Sequence, residues 1–552
     1  MRPTLRAGLI ALATVTAAVA GTGSAAAWSP DWNPYRKDTV DIQVLNVSDF
    51  HGQLDPLNIR GVGDVGGAAA LSTYWQADRK ANPDTLLLTA GDSVGASAPI
   101  SGFFGDEPTV KFMNYAGFSA NTFGNHNFDK GLAHLQSQID AANFPYVSSN
   151  LTNLRRNLHD VSPYVIKNVH GVKVAVIGVT NPEAPTMVAP GNFGTMKVTD
   201  PAQAAMRARA EAARAGARVF VAIGHLGIEG TDAQGKPTGP LTEFANKVHG
   251  FDLVLGDHTD VQYKSQINGA LVLENLSKGA TYAKTTLKYD RRRGGRVVAA
   301  ESQFVVPLAA KVTPDPRVVE MLKPYRDELA KRYDGKIGTA TGLFDQSGEV
   351  DRVRETALGD LTADALRTAY GTQIAFTNGG GIRTSLPSVY QPADKSLRRA
   401  STGYAAGPPY DLVAGDAYAV LPFGNQSLTR TVSGSQLWQV LEHSVSKAPE
   451  SFGGFLQVSG FRFTYDSSKP VGSRVLSVTL DGGKPVAKDA ATYTAATNNF
   501  TNAGGDAYTM LADGQGATRN LMAGDLLDHL TARKTVTPVT DGRIDDVARP
   551  GA

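Results

Sequence analysis

The chain of 552 residues contains no cysteine. That excludes a disulfide framework and leaves no thiol to oxidise, so stability has to come from an apolar core, which a chain this long can build. Charge of one sign is also missing. A net charge of +2 gives no bulk electrostatic reason to bind a nucleic acid polymer or an anionic lipid surface. One basic run, "DRRRGGR" at 290–296, lies between two alternating segments and reads as a solvated hairpin tip. Long apolar runs are scarce too. The one that stands out, Ala7 to about Ala20, falls short of the roughly 20 residues that span a bilayer. Arg2 and Arg6 precede it and Ala25, Ala26 and Ala27 follow, which is the layout of a secretory signal peptide. Residues 1–27 are therefore expected to be removed from an exported, soluble protein, with no hydrophobic anchor in the tail "DDVARPGA".

What is present is an ordinary globular composition, 42% hydrophobic and 19% charged, in a chain too long for one core. Between residues 41 and 260 the apolar runs "DIQVLNV", "TLLLTA", "YVSS", "KVAVIGV", "RVFVAIG" and "FDLVLG" alternate with helix-like stretches such as "GLAHLQSQIDAA". That alternation predicts α/β layering. From 270 to about 308 the pattern turns to strands. "TPDPRVVEMLKPYRDELAKRY" at 313–333 reads as a charged linker helix interrupted by Pro324. Beyond it, "LGDLTADALRTAY" and "GSQLWQVLEHSV" read as helices, "QIAFTN" and "AYAVLPF" as strands, and 388–412 as a long irregular loop.

Each apolar run of the first half hands over to polar groups. After "DIQVLNV" come Asp49 and His51; after "TLLLTA" comes Asp92; after "SANTF" come Asn125, His126 and Asp129 of "GNHNFD". His225 follows "RVFVAIG", and His258 and Asp260 follow "FDLVLG". Ligands of open α/β sheets bind beyond the carboxyl ends of strands, so these groups are expected to converge. The mixed nitrogen and oxygen set suits divalent transition-metal ions. It holds too many donors for one tetrahedral site, and Asp92 is a natural bridge between two. Singly, each piece is ordinary: Asp129 could cap the helix starting near Lys130, and a lone His51 or His225 is commonly structural. The coincidence carries the reading, since four of the ten histidines stand at strand ends beside glycine. His134, His159, His170, His249, His443 and His529 lack that setting.

The order "DFHG", "GDS", "GNHNFD", "GHLG", "GDHTD" resembles the calcineurin-like metallophosphoesterases of the secreted 5′-nucleotidase and UDP-sugar hydrolase type, over essentially the whole mature chain. The resemblance implies an α/β protein. An N-terminal four-layer α/β/β/α metallophosphoesterase domain (40–308) would be joined by a linker helix (309–335) to a C-terminal α+β nucleotidase domain (336–548). It implies two divalent metal ions, such as zinc or manganese. Asp49, His51 and Asp92 would hold one, with Asp92 bridging, and Asn125, His225 and His258 would complete the second. His126 and Asp129 match the dyad that faces the substrate phosphate. Two positions depart from the family: Asn127 stands where Glu is usual, and Asp260, a further metal-ligand candidate, where His or Gln is usual. A metal pair about 3.5–4 Å apart clamps both sides of an in-line displacement and supplies hydroxide near neutral pH.

In the second half, "FTNGGGIRTSL", "VLPFGN" and "NNFTNAGGDAY" match elements of the same family's C-terminal domain. The resemblance implies a nucleobase stacked between Phe423 and Phe500, with Asp506 accepting from the ribose hydroxyls and Asn378 at the base. Gly380 would line the same site, and Arg352 (or its neighbour Arg354) and Arg383 would reach the ribose or phosphate side. The expected activity is hydrolysis of nucleoside monophosphates, with UDP-sugars or nucleoside di- and triphosphates as further candidates. A 2′,3′-cyclic-nucleotide phosphodiesterase with 3′-nucleotidase activity is the alternative, and Asp129 favours the first. A non-catalytic nucleotide-binding surface protein ranks last, because the ligand set is retained.

Overall fold

The structure, a computed structural model, describes residues 39–549 apart from Arg60 and Arg293. The signal-peptide expectation for residues 1–27 lies outside the described residues.

Two sheets build the N-terminal half. The first has the order Arg296–Val305, Tyr282–Asp290, Thr39–Val47, Leu86–Thr89, antiparallel except for the parallel last pair. The basic run lies at the connection between strands Tyr282–Asp290 and Arg296–Val305, where Asp290 pairs with Arg296. The second sheet has six strands, ordered Tyr263–Ile267, Ala270–Glu274, Leu253–Leu255, Val219–Gly224, Val172–Val179, Tyr164–Val169. Its four central strands are parallel and its two edges antiparallel. The "YVSS" run pairs only over Tyr146–Val147.

Side chains alternate across a strand, and that period decides the layering. Ile42, Val44 and Leu88 of the first sheet meet Val174, Val176, Val221 and Leu273 of the second in one core between the sheets. Leu45 and Val47 point the other way, into a cluster with Leu71 and Trp75 of helix Ala68–Ala81 and Phe112 of helix Glu107–Ala116. Ala175, Ile177 and Phe220 point outward onto helices Pro201–Arg214 and Pro240–Lys247. Helix Pro201–Arg214 buries only alanines (202, 204, 205, 208 and 212), so it lies close on its sheet, and Asp200 caps it at Gln203 N, 2.7 Å away. Helix, sheet, sheet and helix make the four-layer α/β/β/α domain.

Helix Pro316–Tyr333 differs from its reading as an interrupted linker. It runs through Pro324 without a break. Val318, Leu322 and Leu329, on both sides of the proline, are buried in the cluster with Trp75. That packing outweighs the one backbone hydrogen bond the proline removes. The capping Asp315 is tied to the N-terminal domain by Ser72 Oγ (2.7 Å), Gln76 Nε2 (2.6 Å) and Tyr115 Oη (2.8 Å).

The C-terminal half is α+β around a mixed five-stranded sheet, ordered Leu456–Ser459, Ile374–Asn378, Thr492–Asn498, Gln426–Ser433, Ala517–Leu521. Helices Ala357–Tyr370, Ala414–Val420 and Met522–Arg533 cover one face, and helix Gly434–Ser444 the other. The stretch "AYAVLPF", expected as a strand, is helical over Ala414–Val420. Ala417, Ala419 and Val420 are all buried, and a short run buried on several sides carries no period that separates strand from helix.

The loop 388–412 is a strap with a charged anchor. Arg399 is buried and donates to the carbonyls of Ser388 and Tyr390 and to both oxygens of Asp416 at 2.6 and 2.7 Å. The strap reaches the other domain, where Gln391 Nε2 donates to the Pro56 carbonyl at 3.1 Å. Nearby, Phe103 stacks at 4.3 Å on Tyr333 and meets Tyr418 edge-on at 5.4 Å. Among the described residues no helix is long and apolar enough to cross a membrane.

Removing one partner of a buried ion pair strands the other charge, which costs about 3–5 kcal/mol. Asp416→Ala should therefore lower unfolding free energy by that amount in urea titration. A loss under about 1 kcal/mol would show that Arg399 does not depend on it.

Candidate metal centre and substrate cleft

The carboxyl ends of four strands bring the predicted donors together. Asp49 follows Thr39–Val47, Asp92 follows Leu86–Thr89, His225 follows Val219–Gly224, and His258 follows Leu253–Leu255. Backbone strain is concentrated here: Asp49, His51, Asp92, His258 and Asp260 have φ of 37°, 46°, 41°, 105° and 56°. Non-glycine residues in this region persist only where surroundings over-determine them. Gly124 shows how tight the packing is, since a Cβ there would come 2.1 Å from Asp92 Oδ1.

Four donors crowd one point. His225 Nε2 lies 3.0 Å from Asp92 Oδ2, 3.2 Å from Asn125 Oδ1 and 3.0 Å from His258 Nδ1. Beside them Asp49 Oδ1 lies 3.7 Å from His51 Nε2, and Asp49, Asp92 and His225 present ligand atoms within 4.8 Å of one another. Burial alone would strip the proton from His225, but Asp92 and Asp49 outweigh it and push its pKa up to about 9. Burial, and then the charge on His225, push His258 down to about 3. Two imidazole nitrogens aimed at each other need something positive between them. Donors of a four-coordinate ion with bonds of about 2.0–2.1 Å stand roughly 3.3 Å apart, so this set fits a divalent cation as well as it fits a proton.

The "GNHNFD" bend supplies the next group. His126 Nδ1 bonds to Asp129 Oδ2 at 2.9 Å, and the His126 amide donates to Asp92 Oδ1 at 3.0 Å. Burial lowers the His126 pKa, but Asp129 and Asp92 more than reverse it, so the ring holds its proton more firmly than a free histidine. Asn127 turns away and accepts the Gly124 amide at 2.9 Å. Asp260 stands apart: its Oδ1 accepts the Ser277 amide at 2.6 Å, and among the described residues it makes no hydrogen bond or ion pair to the other predicted ligands.

The second domain closes the cleft. Phe423, which follows a helix and not the expected strand, stacks on His126 at 5.4 Å with 24° between the planes, and the Arg383 guanidinium lies 5.7 Å from the Phe423 ring centre. Asn378 Nδ2 donates to Asp506 Oδ2 at 2.9 Å, while Asn498 Nδ2 donates to Asn378 Oδ1 at 3.1 Å. Burial pushes Asp506 up to about 6 against the Asn378 bond. The Gly380 amide donates to the Gly453 carbonyl at 2.8 Å, an approach that a Cβ would obstruct. Phe500 lies over the Gly505 backbone, where a Cβ would come 2.5 Å from its ring. Arg352 is half-buried in the cleft and Arg354 is exposed.

Residues 336–513 match the family model of the 5′-nucleotidase C-terminal domain, and residues 83–273 that of the bacterial capsule synthesis protein PGA_cap. The chain is 27% identical to the snake venom 5′-nucleotidase of Gloydius brevicauda, over 80% of this chain and 77% of that one. It superposes on the crystal structure of the 5′-nucleotidase precursor from Thermus thermophilus with a TM-score of 0.79 at 27% identity, covering 93% of this chain and 100% of that one. The C-terminal half thus carries a 5′-nucleotidase C-terminal domain, and most of the chain is similar to 5′-nucleotidases. The chain is also 29% identical to endonuclease YhcR of Bacillus subtilis over 84% of its length, but spans only 37% of that longer relative.

Two carboxylates behind the donors, Asp257 and Glu274, were passed over in the sequence although both stand at strand ends. Asp257, fully buried, accepts the Asp49 amide at 3.0 Å and the Ser48 hydroxyl. Glu274, also fully buried, accepts Thr259 N and Oγ1 at 3.1 and 2.7 Å with one oxygen and Ile228 N at 2.9 Å with the other. It thereby ties the loop after His258 to the loop after His225. A single charge inside the apolar run "ALVLEN" was the available signal.

Groups that orient ligands typically contribute 10–100-fold to metal affinity. Glu274→Ala should lower divalent affinity by about that factor, read by calorimetric titration of manganese into metal-stripped protein. Unchanged affinity would mean the two loops hold themselves.

Proposed function

We propose that the chain is an exported, dinuclear-metal 5′-nucleotidase that releases phosphate from nucleoside monophosphates, with UDP-sugars or nucleoside di- and triphosphates as further substrates. The observation that carries this reading is the Phe423–His126 stack, which joins a base-side aromatic of one domain to the phosphate-side imidazole of the other.

Asp49, His51 and Asp92 would hold one divalent ion, and Asp92, Asn125, His225 and His258 the other. Bound divalent cations supply Lewis acidity that activates water and shields phosphoryl charge. The chain's own groups do the rest. Asn125 adds a donor without adding negative charge near an anionic substrate. Asp129 fixes the proton on His126 Nδ1 and leaves Nε2 to face the phosphoryl group, where the imidazolium donates to the departing nucleoside oxygen. Asp506, held by Asn378, accepts from the ribose hydroxyls. Phe423 and Phe500 take the base, and stacking worth roughly 1–3 kcal/mol tolerates different bases. Arg352 and Arg383 draw the anionic side of the nucleotide. The signal-like N-terminus supports export.

A phosphodiesterase is the second reading, favoured by the similarity to an endonuclease. Phosphate release from a panel of 5′-, 3′- and cyclic nucleotides separates the two. The 5′-monophosphates should react fastest, and a chelator should abolish the reaction; equal turnover with chelator rejects the metal mechanism. His126→Ala should lower kcat by about 10²–10⁴ while leaving nucleotide affinity within a few-fold. A kcat within threefold of the parent would remove His126 from proton transfer.

A further inference from the structure

The turn before Arg352 carries a carboxylate back into the cleft. Gly348 and Glu349 both take left-handed conformations, with φ of 73° and 51°. As a result Glu349 Oε2 lies 2.8 Å from Arg352 Nη1, and Oε1 lies 3.9 Å from Nη1 of Arg383, which belongs to a different loop. One anion is divided between two cations. Lys278, from the other domain, adds a third positive charge that acts on it.

Neither arginine is well satisfied. Arg352 Nε is buried without a hydrogen-bond partner. The contact to Arg383 is too long for a hydrogen bond, and the bond from Arg383 Nη1 to the Gly380 carbonyl is stretched to 3.5 Å. Guanidinium groups present a planar fork that a phosphoryl or carboxylate anion matches with two parallel bonds, and Glu349 supplies no such pairing to either. The Glu349 side chain is 48% exposed, whereas that of Arg383 is 11% exposed, so the carboxylate has room to swing out and the cation does not.

We propose that Glu349 is a built-in occupant of the anion seat formed by Arg352 and Arg383, displaced by the phosphoryl group of an entering nucleotide, and so a specificity-determining residue. This rests on the nucleotide reading above. A nucleotide binds by exchanging a poorly fitted carboxylate for a better anion, and the neutral nucleoside product cannot hold that seat once phosphate has gone. A carboxylate that merely braced the arginines would have the opposite effect on anion affinity when neutralised.

The sign of one measurement decides between them. Glu349→Gln keeps the side-chain length on an exposed turn and removes the charge. Calorimetric titration of the metal-loaded parent and variant would use a non-hydrolysable phosphonate analogue of AMP, with adenosine as the neutral control. The analogue should bind the variant about tenfold more tightly, equivalent to about 1.4 kcal/mol, with adenosine affinity unchanged. Unchanged or weaker binding of the analogue overturns the proposal, as does equal tightening of both ligands, which would be an effect of shape. If neither ligand binds the parent, the nucleotide reading falls and this inference falls with it.

Discussion

Burial of His225 beside Asp92, Asn125 and His258 constrains the rest of the N-terminal domain. An imidazole with no exposed surface can carry charge only if carboxylates face it, and those carboxylates are tolerated only because something positive sits among them. Asp92 meets both demands, bonding His225 through one oxygen and the His126 amide through the other. The left-handed backbone at Asp49, His51, Asp92 and His258 follows from bringing several strand ends to one point. Behind them Asp257 and Glu274 anchor the loops, so the strained segments are held from the core side as well as from the site.

The two domains are brought together by different means at different places. At one side, Phe103 stacks on Tyr333, and helix Pro316–Tyr333 is docked by its buried Val318, Leu322 and Leu329 and by hydrogen bonds to Asp315. At the mouth, the contact is Phe423 on His126, flanked by Arg383, with charged groups on both sides.

The convergence of the candidate donors was legible in the chain. Asp49, His51, Asp92, Asn125, His225 and His258 could be picked out because strand ends of α/β sheets converge, and that convergence depends only on hydrophobic period and chain direction. Asp129 was paired with His126 only through the family resemblance, and the structure joins the two across one short turn. Where the reading went astray, tertiary packing had overridden a local signal. Pro324 did not break its helix because buried residues flank it, and "AYAVLPF" became helical because it is enclosed on several sides. Asp260 shares a loop with His258, yet its carboxylate turns to the Ser277 amide.

The sequence by itself determined the main strands of the N-terminal half, which faces of them are apolar, and which donors stand at their ends, because those properties reside in neighbouring residues. Only the tertiary structure decided how the donors pair. It joined Glu274 to loops 15 and 46 residues away, returned Glu349 onto Arg383, and laid Phe423 on His126. Such contacts form between groups far apart in the chain, and their energies depend on burial that no local stretch encodes.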